Sequence, residues 1–122
     1  MLLALVACTS TVAVPDDSAG PEVVLDAYLR ALVAGDCETG RALATATFRE
    51  GNGELCGAVD VTAFRVDGGP LRPSPDEAVF STTLTTTGSD DGSIKPGETI
   101  RFYSLGRQPN GSWRIVGGGS GP

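Results

Sequence analysis

Three cysteines and no histidine set the limits of the chemistry this chain can carry. Without imidazole there is no Ser–His or Cys–His nucleophile pair and no histidine-ligated metal site. Cys8, Cys37 and Cys56 fall one thiol short of a four-thiolate zinc site. No two of them have the Cys-x-x-Cys spacing of a redox-active pair. Carboxylates remain, but Asp90-Asp91-Gly92 is too short for an EF-hand loop, whose ligands alternate over about twelve residues. Asp and Gly in that order read as a solvated turn. These residue types imply no metal and no cofactor.

At 122 residues the chain has the size of one small domain. Aromatic residues make up only 6%, so the core must rest on Val, Leu, Ile and Ala. A core so thin calls for a covalent staple. Fifteen acids oppose nine bases for a net charge of −6, and the bases are scattered singly from Arg30 to Arg114. That balance argues against nucleic acid as a partner, because a phosphate backbone demands a basic face.

The element that must position any site is 21–37, PEVVLDAYLRALVAGDC. Leu25, Tyr28, Leu29 and Leu32 recur at the spacing of one buried helix face, and Glu22, Asp26 and Arg30 form the wet stripe opposite. Pro21 suits the first helical position, Gly35 closes the helix and Asp36 can cap the next. A second, shorter helix is expected over 36–47, with Ala42, Leu43 and Ala46 as its apolar face, and Phe48 leads into a Gly-rich loop that ends at Cys56. From residue 59 the period becomes two. The first strand, 59–67, puts Val59, Val61 and Ala63 on one side and Thr62, Phe64 and Val66 on the other. After a Gly- and Pro-rich break at 68–75, a second strand at 77–87 turns Ala78, Phe80, Thr82 and Leu84 to one face. A third strand, 98–107, sets Arg101, Tyr103 and Leu105 against Ile100 and Phe102. Asn110-Gly111 reads as a type I′ hairpin turn, with positive φ at both residues, into a fourth strand at 112–117 where Trp113 and Ile115 point together. The same residues spell a glycosylation sequon, which the turn already explains.

The N-terminus, MLLALVAC, adds a second kind of signal. Leu5-Val6-Ala7-Cys8 resembles a bacterial lipobox, in which the cysteine receives a diacylglycerol and becomes the first residue of the mature chain. A signal peptide opens on a basic n-region and a longer apolar run, whereas here Leu2 follows Met1 directly. Either the start lies upstream, or the chain was trimmed, or the match is chance and the segment is an apolar strand with a buried thiol. The lipobox resemblance implies that residues 1–7 are a signal-peptide remnant and that 8–20 form a lipid-anchored flexible tether to a single domain at 21–122. It also implies an extracytoplasmic location at the cell membrane, where disulfides persist. With Cys8 carrying lipid, Cys37 and Cys56 are left as a bridge.

Two helices followed by an antiparallel four-stranded meander make an α+β fold, with the long helix lying across a curved, cone-like sheet. On this pattern, with the lipobox, DAYLRALVAGDC, Cys56 and the ending GSWRIVGGGSGP, the chain resembles the nuclear-transport-factor-two-like (cystatin-like) superfamily. More narrowly it is similar to small actinobacterial lipoproteins of uncharacterised function. The resemblance implies a cone open to a small apolar ligand, or a domain that receives a protein partner. One alternative it implies is an isomerase- or dehydratase-like enzyme, for which Asp60, Tyr28 and Tyr103 are the available carboxylate and donors; Asp26 lies on the polar stripe. The other is a homodimer or accessory subunit that pairs through Trp113, Phe102 or the Thr-rich strand at 80–86. A carboxylate buried beside a tyrosine would favour the enzyme, an open dry cavity the binder, and a flat apolar sheet face the dimer.

Overall fold

A computed structural model describes residues 12–50 and 53–120. The element order is α1 (Pro21–Ala34), α2 (Cys37–Ala42), α3 (Ala46–Arg49), β1 (Val61–Leu71), β2 (Glu77–Thr86), β3 (Gly97–Arg107) and β4 (Trp113–Gly119). The strands form one antiparallel sheet in the order β1-β2-β3-β4, and the helices pack on its curved inner face. This is the α+β architecture expected from the change of period.

α1 carries the expected stripe and more. Val24, Leu25, Ala27, Tyr28, Leu29, Ala31 and Leu32 are all buried, so the helix presents more than one apolar row to the sheet. Pro21 stands in its first turn, and Gly35 ends it in the left-handed region at φ 71°. The Asp36 carboxylate then caps α2 by accepting from the Thr39 N–H at 3.2 Å.

The single helix expected over 36–47 is two short ones. Between them Ala44 forms a parallel bridge with Ile115, where the Thr45 N–H donates to the Ile115 carbonyl (2.9 Å) and the Ile115 N–H to the Leu43 carbonyl (2.8 Å). Those backbone groups cannot serve a helix and the sheet edge together, and the sheet prevails. The break lets α3 drive Phe48 fully into the core.

On the sheet, Ala78, Phe80, Thr82 and Leu84 face inward as their alternation requires. The β2–β3 ladder runs unbroken from Glu77↔Gly106 to Thr86↔Gly97. β1 departs from simple alternation and extends through the expected break to Leu71. Register shifts fall between Val61 and Ala63, Val66 and Gly68, and Gly68 and Leu71. The first shift brings Val61 and Phe64, which strict alternation separates, to the same face: they pair with inward-facing Thr86 and Leu84. The β3–β4 turn is not type I′, because among the described residues only glycines have positive φ. Pro109, with φ fixed near −65°, starts a turn closed by the Gly111 N–H on the Gln108 carbonyl (2.8 Å). Gly111 alone takes positive φ, and Asn110 serves through its side chain by accepting from the Ser112 N–H and hydroxyl.

Of the stretch 8–20, the described residues 12–20 touch the domain. Val12 donates its N–H to Asp36 Oδ2 at 3.0 Å and accepts the Thr39 hydroxyl at 3.3 Å. Val12 and Ala19 pack on the core, and Asp17 approaches Arg114 at 3.6 Å. Cys8, with the lipobox and signal-peptide remnant expected at 1–8, lies outside the described residues.

Candidate functional site

Tyr28 from α1, Phe48 from α3 and Tyr103 from β3 meet between helix and sheet. Their ring centroids lie 5.6 to 6.5 Å apart in edge-on and tilted contacts. All three side chains are fully buried. They fill the space between α1, α3 and β3.

One side of this aromatic cluster is polar. The Tyr28 hydroxyl donates to Glu54 Oε2 at 2.6 Å, and the same oxygen accepts the Cys56 N–H at 3.1 Å. Arg101, brought to the inner face by its pairing with Thr82, donates from Nη2 to the Gly53 carbonyl at 3.1 Å. Glu54 Oε1, Arg101 Nε and the Tyr103 hydroxyl are buried without a hydrogen-bond partner among the described residues. Burial is the main force raising the Tyr28 phenol well above its ordinary range, helped by neighbouring Tyr103 and Glu54. Burial also pushes Tyr103 up to about 12, against the opposing pull of Arg101. Both phenols therefore stay protonated at neutral pH; Tyr28 donates to Glu54, and the Tyr103 hydroxyl has no acceptor among the described residues.

The segment that carries Glu54 is fixed at two points. The Cys37–Cys56 disulfide joins it to α2, across a sequence separation of 19 and a Cα–Cα distance of 5.6 Å. At its other end Gly53 lies on β4, where a Cβ would come within 2.4 Å of the Gly118 carbonyl. Gly118 is crowded in turn, since a Cβ there would sit 3.0 Å from Tyr103 and 3.2 Å from Phe48. Only glycine lets strap, strand and rings approach this closely.

Of the three residues offered for catalysis, the fold brings Tyr28 and Tyr103 together and leaves Asp60 out. Asp60 is exposed, spends its carbonyl on the Thr87 N–H (3.1 Å) and lines a surface groove with Leu32, Val61 and Thr87. Glu54 takes the place beside the tyrosine. Its position in an aperiodic loop hid it; alternation set Arg101 on the same side as Tyr103 and Leu105, and Arg101 meets that loop at the Gly53 carbonyl. Four surface grooves among the described residues are lined by other residues than Tyr28, Glu54, Arg101 and Tyr103.

The faces proposed for pairing are mostly interior. Phe80 is buried, and Trp113 is covered by Arg72 and Arg107, whose guanidinium carbons lie 5.3 and 5.0 Å from its ring centroid. On the outer sheet face Ile100 is exposed and Phe102 half-buried, but the same face carries the Arg65–Asp67 and Arg65–Glu98 ion pairs. Asp91 accepts from Ser89 and from the Ser93 N–H and hydroxyl, a turn that holds its carboxyl down at about 2. No family model matches the chain, and no curated protein matches it either.

Proposed function

We propose that this chain is an exported lipoprotein, held at the outer face of the cytoplasmic membrane through Cys8. Its domain acts as a protein-interaction module through its surface and does not enclose a ligand. The observation that carries this reading is the filled interior: Tyr28, Phe48 and Tyr103 occupy the space that a small apolar ligand would need. The Cys37–Cys56 bridge supports the export half, because it accounts for two cysteines and leaves Cys8 as the remaining one. The α+β architecture supports the resemblance to the nuclear-transport-factor-two-like superfamily, within which fold alone does not decide activity.

Native mass spectrometry of the full chain, extracted in detergent from membranes of a host that processes lipoproteins, tests this. The expected species starts at Cys8, carries acyl mass, is two hydrogens light for the bridge, and brings no small molecule. An unprocessed chain with three free thiols would end the lipoprotein reading. A co-purified small apolar molecule would end the surface-module reading in favour of an enclosed ligand.

The Tyr28–Glu54 contact favours a second reading, an enzyme with Glu54 as general base and Tyr28 and Tyr103 as donors. That chemistry requires a substrate atom within reach of Glu54. Titration with small phenols and carboxylic acids, followed through the Tyr28 and Tyr103 ring resonances, tests access. Saturable shifts confined to these rings support the enzyme, and unchanged rings at high probe concentration remove it.

A further inference from the structure

Four chain steps separate the proposed lipid attachment at Cys8 from Val12, the first described residue. Val12 is fastened to the domain at three points: its N–H on Asp36, its carbonyl under the Thr39 hydroxyl, and its side chain against the core. Four consecutive Cα steps reach at most about 15 Å in any conformation. A domain of this size is roughly 30 Å across, judged from the scaling of its radius of gyration. A lipid on Cys8 would therefore hold Val12 within half a domain diameter of the headgroups. The domain could not turn its N-terminal side away.

That side is built for such a contact. Beside Val12 runs a groove lined by Ala13, Val14, Pro15, Val23, Ala27 and the Asp26–Arg30 pair. Val14 and Val23 are 50% and 52% exposed, two of the six large apolar side chains left in the open among the described residues. The two charges at its border bind each other at 2.7 Å, so the groove carries little net field in a protein of net charge −6. A neutral apolar strip on an otherwise acidic surface is the part least repelled by anionic headgroups.

We propose that the Val14–Val23 groove is the membrane-resting face of the domain and that its occupant is the lipid surface, with Val14 and Val23 seated at headgroup level. The proposal rests on the lipoprotein reading and adds an orientation to it. That orientation turns the outer sheet face, with Ile100, toward solvent and partners.

In the lipidated full chain Cys8 is acylated and Cys37 is bonded to Cys56, so one introduced cysteine is the only free thiol. Nitroxide labels are placed singly through Val14→Cys, Val23→Cys and Ile100→Cys, all at exposed positions that leave the core intact. The protein is reconstituted in vesicles of phosphatidylethanolamine and phosphatidylglycerol. The expected result is a several-fold loss of collisions with a water-soluble nickel reagent at 14 and 23, a gain of collisions with oxygen there, and no change at 100. The reference is the same domain released from its lipid. Labels at 14 and 23 that stay open to nickel while the protein floats with the vesicles overturn the orientation and leave the anchor standing. Protection at 14 and 23 in native membranes but not on lipid vesicles also overturns it, assigning the groove to a protein. A chain with no acyl mass that does not float removes the anchor and the orientation together.

Discussion

Removing the Cys37–Cys56 bridge through a Cys37→Ala, Cys56→Ala double variant tests how much of this small domain rests on covalent constraint. The bridge closes a loop with a sequence separation of 19. In the chain-entropy account such a loop withdraws about 11 cal/mol/K from the unfolded chain, or about 3 kcal/mol at 25 °C. Small domains have about 5 to 15 kcal/mol in total, so this is a large share. With roughly 4–8 °C per kcal/mol at this size, the melting temperature should fall by roughly 12–24 °C. Calorimetry and urea unfolding of the double variant, beside the wild type with and without reductant, give the number. The reduced wild type should match the double variant. A loss below about 1 kcal/mol in both would refute the reasoning, because it would mean that the unfolded chain gains no freedom when the loop opens. A second readout is local. Cys56 donates its N–H to Glu54, which accepts from Tyr28, so amide exchange in the Gly53–Cys56 strap should rise more than in β2 or β3.

Three other outcomes follow from the packing and charges. Gly118→Ala should destabilise by about 1–3 kcal/mol, because its Cβ meets the buried Tyr103 and Phe48 rings, whereas Gly119→Ala, with nothing within 4 Å, should be near neutral; equal melting temperatures for the two would contradict the described crowding. Both tyrosines have pKa values raised above the unfolded value near 10, so their stabilisation is complete below about pH 10 and is lost as pH rises through the folded values. The phenolate absorbance should then appear together with loss of circular dichroism, and a simple titration near 10 in the folded protein would count against burial. The Thr39 hydroxyl, with the Val12 and Thr39 N–H groups, holds Asp36 below the usual carboxylate range. Its contribution is present above about pH 4 and lost as pH falls through the folded value, so Val12 amide protection should fade in acid. Asp36→Ala should lower stability and abolish that pH dependence, as amide exchange across pH can check.

Much of the scaffold was legible because burial imposes a period. Leu25, Tyr28, Leu29 and Leu32 on α1, and Ala78, Phe80, Thr82 and Leu84 on β2, are buried for the reason their spacing suggests. Gly35 and Asp36 act as the boundary their chemistry predicts. What escaped was set by partners distant in sequence. Leu43 and Thr45 leave the helical pattern to bond Ile115, which no local propensity reveals. The shift between Val61 and Ala63 breaks alternation without any Gly or Pro to announce it. Pro109, with its fixed φ, overrides the Asn-Gly turn signal. The candidate site was half legible. Tyr28 and Tyr103 followed from alternation and helix spacing, but Glu54 sits in an aperiodic strap placed by the disulfide and by the Gly53–Gly118 approach.

The bridge between Ala44 and Ile115 has a consequence for how copies of this protein behave together. A sheet with two open margins is a template on which further chains can stack, and crowding makes that addition faster. Here the β4 margin is occupied at Ile115 by the molecule's own helical linker. The β1 margin is irregular, with three register shifts and with Pro70, which has no N–H to offer an incoming strand. Strand-by-strand growth into fibres therefore has no straight edge to start from. Dense populations of this domain should remain dispersed.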